Sequence, residues 1–516
     1  MTNKFKLLFV LAGFSFVLSA CGGTNNYENY AKITINNNTN SAAKIINPKD
    51  VTLTRSYHSL ETDKNYNTQI LPSVGDVKLL VIPVTIPGYE TPKNISTGEK
   101  LDKNKVKEDI NKAFFGDEKE TGWESVASFY KKSSYGKLNL TGTVTDWFDA
   151  KEAGFTSASQ ITTTTVLDLI DEAIDWVKDV YTEINLSDYD YDKDGFIDGV
   201  WFVYSAPDYT HNGPQTDDSN YWAYTFWGNQ DKKGDLNNPI YNLFGWASYD
   251  FIYEAYGYSS IDAHTFIHET GHFLGLSDLY SDVSTYNPAG KVDMMDANIT
   301  DHNSYNKMLL GWTKPYLVLG NGEITIPSSD LENACIVIPG DSYKANNNEF
   351  DPFGEYIVIE YYSTNGLNKK DSTVKLNSNT PLAPKTNGVK ISHVDNRLFY
   401  LDKTDSFKYT VVPYSGENQP IDELHRLINP MSNKLSYDSY NKLGLDQKYN
   451  NCDEYRVIEA SGSDSFTSGA YLTSNSLFKA DDTFSVEKYK AFFNIEEGKL
   501  NSGDTFSTTL TISELK

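Results

Sequence analysis

The segment Asp262-Ala263-His264-Thr265-Phe266-Ile267-His268-Glu269-Thr270-Gly271-His272 constrains this chain more than any other. Read as a helix, it brings His268 and His272 onto one face, because residues four apart lie one turn above another. Ala263, Phe266 and Ile267 supply a buried face, and Asp262 is a good N-cap. Gly275 is placed to end the helix, since a residue without a Cβ takes the left-handed turn that reverses the chain. Two neutral imidazoles at this spacing can ligate one Zn2+, and Glu269 then lies beside the metal, placed to take a proton from bound water. The full pattern is His268-Glu269-x-x-His272-x-x-Gly275-x-x-Asp278. The reversal makes Asp278 the third ligand and leaves a fourth position open for water or substrate. The five-residue motif alone arises by chance; the spaced Gly275 and Asp278 and the helix signals make it specific. His264, one turn before His268, reads as a residue that caps or packs the helix start.

The N-terminus has the layout of an export signal: Lys4 and Lys6, then an apolar run to Leu18, then Ser19-Ala20-Cys21-Gly22. Leu18-Ser19-Ala20-Cys21 resembles the bacterial lipobox, in which the cysteine is diacylated and becomes the mature N-terminus. The expectation is a signal peptide over residues 1–20, lipidation at Cys21, and a protein held on the outer side of the bacterial cell membrane. Residues 21–74 are Asn-rich and polar and read as a tether, with a pro-segment as an alternative. Ordered structure is expected from the β-rich run at residues 77–84. From there to about residue 315, helical and strand patterns alternate, the clearest helix being 166–181 with Val166, Ile170, Ala173, Ile174, Val177 and Val180 on one face. Beyond it, strand-like runs separated by Gly, Asn and Ser clusters dominate residues 316–516. The net charge of −25 argues against nucleic acid, whose phosphates demand clustered Lys and Arg. After processing, Cys335 and Cys452 remain beside Cys21, and nothing in the sequence decides whether they pair.

Two further patterns carry chemistry. Asp190-Tyr191-Asp192-Lys193-Asp194-Gly195-Phe196-Ile197-Asp198 places carboxylates at alternate positions around a glycine turn, the first part of a calcium loop. Asp190, Asp192, Asp194 and Asp198 are therefore candidate ligands for a structural Ca2+, although Trp201 stands where an EF-hand has its bidentate Glu. Downstream, Val292-Asp293-Met294-Met295-Asp296 sets two of the five methionines side by side. In metzincin peptidases a methionine turn forms an apolar floor beneath the zinc ligands.

The run from His268 to Tyr280, together with Val292-Asp293-Met294-Met295-Asp296, resembles the immune inhibitor A family of bacterial secreted metallopeptidases, a metzincin-like group. Asp301-His302-Asn303, Leu310-Gly311-Trp312, Ala113-Phe114-Phe115-Gly116, Ser133 to Leu138 and, more loosely, Gly388 to Asp395 are similar to further family segments. The resemblance implies that Met295 is the floor residue and that His302 lies close behind the turn. Ser277 stands where family members often have Pro.

The expected architecture is an α/β (α+β) metzincin-like catalytic domain over residues 75–315, followed by a C-terminal β-sandwich-type region. The expected activity is hydrolysis of peptide bonds in protein substrates by Glu269-assisted attack of zinc-bound water, with a tyrosine (Tyr280, Tyr286 or Tyr305) available for the oxyanion. A catalytically silent surface binding lipoprotein and a non-peptidase zinc hydrolase are the alternatives; digestion of casein with and without chelator separates them.

Overall fold

The computed structural model describes residues 28–516 apart from 38–41, 58–69, 217–219, 230–231, 256–258, 284, 341–347, 378–379, 406–407, 414–424, 429–431, 434–452 and 490–507. The expected signal peptide over residues 1–20, Cys21 and Cys452 lie outside the described residues. Ordered structure begins earlier than Val77: within the Asn-rich stretch, Tyr30–Asn37 forms a strand, β1. Ala31, Ile33 and Ile35 are buried, while Lys32, Thr34 and Asn36 are not. The asparagines on either side mask this two-residue alternation in composition, which is why the segment reads as a tether. β1 is paired antiparallel on both sides, with Gly322–Pro327 and with Thr508–Leu515.

The first half is built on a mostly parallel sheet. Gly75–Thr85 (β2), Leu138–Val144 (β3), Val200–Tyr204 (β4), Tyr224–Trp227 (β5) and Leu243–Ser248 (β6) lie in the order β3-β2-β4-β6-β5. β3, β2, β4 and β6 run parallel, and β5 joins antiparallel at the edge. Side chains alternate between the faces of each strand. Leu79, Val81, Trp201, Val203, Leu243 and Ala247 enter one apolar cluster, whereas Leu80, Ile82, Val84, Phe202, Tyr204, Phe244 and Trp246 enter another. Both faces are covered, so the central strands read in sequence as continuous apolar runs.

Three helices cover the first face. Lys103–Phe115 (α1) starts at Asp102, whose carboxylate accepts the Asn104 and Lys105 N–H groups. Val126–Ser133 (α2) starts at a reciprocal Ser125–Ser128 capping box. The third is the motif helix, described below. Val166–Val180 (α3) covers the second face through Val166, Leu169, Ile170, Ala173, Ile174 and Val177. Val180, expected on that face, is 55% exposed because the helix ends there.

The second half is β-rich. Ile45–Ile46, Tyr316–Val318, Cys335–Pro339, Glu355–Tyr362, Gly388–Asp395 and Tyr455–Ile458 form a six-stranded sheet in that order. One face, with Ile336, Ile338, Ile357, Ile359 and Ile391, shares an apolar cluster with β1 and its neighbours. The other face, with Cys335, Val337, Tyr356, Val358, Tyr455 and Val457, belongs to the same cluster as the motif helix. The molecule is thus a mixed α/β structure in which the C-terminal sheet backs the half that carries the motif helix. No helix among the described residues is long and apolar enough to cross a membrane.

Ile33 sits at the centre of β1 with no exposed surface. Ile33→Ala should cost about 2–5 kcal/mol of unfolding free energy, the range for a truncated core isoleucine. Denaturant titration of the purified chain checks this; a loss within about 0.5 kcal/mol, as for surface positions, would make the segment a tether after all.

Candidate active site

The motif helix spans His264–Phe273 (α4), and Phe266, Ile267, Glu269, Thr270, Gly271 and Phe273 are buried along it. Phe266 and Phe273 pack on Trp201 of β4, which anchors the helix to the sheet. The Asp262 carboxylate accepts the His264 N–H at 2.9 Å, satisfying a donor of the first turn. Two residues past the helix, Gly275 takes φ +93°, and the chain reverses. There a Cβ would lie 3.0 Å from the Tyr57 ring, so glycine is required both for conformation and for space.

The reversal brings Asp278 back under the helix. Its Oδ1 lies 3.1 Å from His268 Nε2 and 3.2 Å from His272 Nε2. The His268, His272 and Asp278 ligand atoms all fall within 4.8 Å of one another, a cluster that can hold one metal ion. Each imidazole is oriented through its other nitrogen: His268 Nδ1 is 2.7 Å from the Met294 carbonyl, and His272 Nδ1 is 2.7 Å from the Leu276 carbonyl. A carbonyl only accepts, so each Nδ1 donates to it and Nε2 is the nitrogen left to face Asp278, as a donor to the carboxylate or, once deprotonated, as a ligand to a metal ion. Burial alone would raise the Asp278 pKa, yet hydrogen bonds from both histidines outweigh it and hold the carboxyl below its ordinary range. Burial likewise opposes charge on the imidazoles, but the contacts with Asp278 raise both, His272 to about 9.

Glu269 projects from the next position along the helix. Thr225 Oγ1, on edge strand β5, donates to Glu269 Oε2 at 3.1 Å and lies 3.0 Å from the Glu269 carbonyl. Nothing in the sequence singles out Thr225, because the contact exists only once β5 is folded beside α4. Two adjoining depressions meet here, sharing Trp222, Ala223, Glu269 and Tyr280 in their walls. One continues past His268, Asp262 and Phe251, the other past His272, Asp278 and Trp227.

Met295 packs against the motif helix at Gly271. A Cβ on Gly271 would fall 2.3 Å from Met295 Sδ. The turn that carries Met294 and Met295 is held by Asp293, which accepts the Met295 and Asn303 N–H groups, each at 2.8 Å. Asp293 is an organising residue that the motif reading passed over.

The remaining candidates separate. His264 heads the helix but is outside the ligand cluster; burial, then proximity to His268, pushes its imidazole down to about 3, so it is neutral. His302 is fully buried among Phe129, Tyr130 and Trp312, with ring centroids 5.4, 5.9 and 6.0 Å away, a structural position. Of the three tyrosines, Tyr280 lines the cleft; Tyr286 and Tyr305 hydrogen-bond Asp453 and Glu454. In the acidic loop, Asp190, Asp192 and Asp194 converge. Asp198 stands outside that group, its Oδ2 accepting the Tyr191 N–H at 2.6 Å.

Residues 73–298 match the model of the immune inhibitor A peptidase M6 catalytic domain. Over these residues the chain is similar to a metallopeptidase domain, which implies a metal, and the cluster of two imidazoles and one carboxylate fits such an ion. No curated protein sequence matches the chain.

The packing of Gly271 on Met295 generates a sign test. Gly271→Ala gains about 1 kcal/mol of helix propensity, but overfilling a tight contact costs about 1–3 kcal/mol. The single variant should be destabilised, whereas in a Met295→Ala background the same change should stabilise. Chemical unfolding of the four proteins measures both signs; destabilisation of equal size in both backgrounds would remove Met295 from contact with the helix at Gly271.

Proposed function

We propose that this chain, similar over residues 73–298 to an immune inhibitor A-type M6 peptidase domain, is a zinc endopeptidase acting on protein substrates at the outer surface of the cell. The observation that carries the reading is the convergence of His268, His272 and Asp278 beside Glu269 at the junction of two depressions. Two nitrogens and one carboxylate oxygen are an ordinary catalytic zinc set, leaving room for one more ligand. Zinc held there supplies polarisation of the scissile carbonyl and an acidified water.

The chain's own residues do the rest. Glu269 takes a proton as the nucleophile attacks and delivers it to the leaving amine, acting first as base and then as acid. Thr225 holds that carboxylate through its hydroxyl. Tyr280, in the wall of both depressions, is the tyrosine we assign to the developing oxyanion. β5 supports a polypeptide substrate: it is the edge of its sheet, and Tyr224, Thr225 and Trp227 line the depression beside Glu269 and His272. An extended peptide can add to such an edge.

The same reading assigns Ca2+ to Asp190, Asp192 and Asp194, an all-oxygen set that suits a hard cation and would fix the turn before β4. Export and a lipid anchor at Cys21 rest on the leader and the lipobox-like Leu18-Ser19-Ala20-Cys21. No role with nucleic acid is proposed, given the net charge of −25.

The purified chain should digest casein, lose that activity to a chelator and regain it with added zinc. Glu269→Gln should keep its zinc by atomic absorption while kcat/KM falls by about 10²–10⁴-fold, the contribution of a general base. His268→Ala should lose the ion itself. Wild-type protein that cuts no polypeptide in ample zinc would end the peptidase reading, and full turnover by Glu269→Gln would remove that residue from the mechanism.

A further inference from the structure

β4 and β6 are parallel neighbours, with Ser248 opposite Tyr204, so the segments that follow them leave the sheet at the same carboxyl-terminal edge. The first contributes Asp208 and His211, the second Asp250 in the turn Tyr249–Tyr253. His211 Nδ1 lies 2.6 Å from Asp208 Oδ2 and 3.3 Å from Asp250 Oδ2. Ligand atoms of all three residues fall within 4.8 Å of one another.

The carboxylates are deeply placed, with side-chain exposures of 1% for Asp208 and 0% for Asp250, while His211 at 35% opens the group to solvent. Thr210 N–H and Oγ1 both donate to Asp208 Oδ1 at 2.6 Å, which leaves Oδ2 for His211. Asp250 Oδ2 also accepts the Asp208 N–H at 3.2 Å, but Asp250 Oδ1 makes no hydrogen bond although it is buried. A buried carboxylate oxygen without a partner is costly unless a cation compensates it. Two carboxylates with a charged imidazole still carry one net negative charge. Two carboxylates and a neutral imidazole around a divalent cation carry none.

We propose that Asp208, His211 and Asp250 form a second metal site, distinct from the His268-His272-Asp278 cluster, for a divalent transition-metal ion. The imidazole ligand sets the class: Ca2+ and Mg2+ prefer all-oxygen shells, whereas one nitrogen and two carboxylate oxygens suit Zn2+ or Mn2+. The ion would tie the loop after β4 to the turn after β6. That turn presents Phe251 to the depression lined by His268 and Glu269, so the site would hold one wall of the cleft from behind.

Zinc stoichiometry of the full-length chain tests the proposal, after stripping with chelator and equilibration with Zn2+ in millimolar Ca2+ to fill oxygen-only sites. Wild type should retain two zinc ions, His211→Ala and Asp250→Asn one each, His268→Ala one, and the His211→Ala/His268→Ala double variant none. His211 is partly exposed, so His211→Ala carries the test if Asp250→Asn does not fold, with circular dichroism matching wild type as the control. A wild-type chain holding a single ion that vanishes in His268→Ala, with His211→Ala unchanged, would overturn the proposal in favour of a charged histidine bridging two carboxylates. A count lowered by His211→Ala but not by His268→Ala would leave this site standing while the catalytic assignment fell.

Discussion

Two backbone carbonyls, Met294 and Leu276, decide what the motif histidines can do. By accepting the Nδ1 hydrogens at 2.7 Å, they turn both Nε2 atoms toward Asp278. Neither carbonyl belongs to the helix that carries the histidines. Leu276 follows Gly275 in the reversal, and Met294 lies in the turn held by Asp293. The donor set therefore exists only if both turns are formed, and helical spacing alone would leave the rings free to rotate.

The two turns are in turn secured by the C-terminal half. Asn433 Nδ2 donates to the Leu279 carbonyl and to the Tyr455 carbonyl, each at 2.8 Å, which ties the Asp278 segment to the six-stranded sheet. Ser304–Leu309 (α5) begins with the Ser304 N–H and Oγ on Glu360 at 2.8 and 2.6 Å, and Glu360 is paired with buried Lys390 at 2.5 Å. The Asn303 side chain at the start of that helix donates to Asp293 at 2.7 Å. A chain of charge-assisted bonds thus runs from the C-terminal sheet to the methionine turn. Such bonds are individually stronger than neutral ones and geometrically exacting, which suits the fixing of a ligand's orientation.

Legibility in the sequence followed the range of the interaction. The motif helix, its glycine stop and the return of Asp278 could be read because all are settled within fifteen residues by spacing and backbone freedom. The helix Val166–Val180 was legible from its apolar period. Thr225, Asp293, Asn433 and the Asp208-His211-Asp250 group were not, since each acquires its meaning from a strand or turn distant in the chain. β1 was missed for a different reason. Its three buried side chains are enough for one face of a strand, but asparagine-rich flanks dilute the signal over any wider window.

The boundary of the family match, residue 298, is not a physical boundary. Trp312 Nε1 donates to the Ser73 carbonyl at 2.7 Å, and Ser73 Oγ donates to the Leu310 carbonyl at 3.0 Å, closing the segment before β2 onto the chain beyond the match. Met308, Leu309, Trp312, Val337, Tyr356, Val358 and Tyr455 share one apolar cluster with Phe266, Phe273, Met294 and Met295. Ending the chain at 298 would open that cluster to water at about 25 cal/mol for each square ångström of apolar surface exposed. It would also remove the partners of Asp293 and Leu279 that position the imidazole acceptors. What is conveyed as a catalytic unit by pattern is, in energetic terms, half of a larger fold: the chemistry sits on the first half, and the rigidity that aims it comes from both.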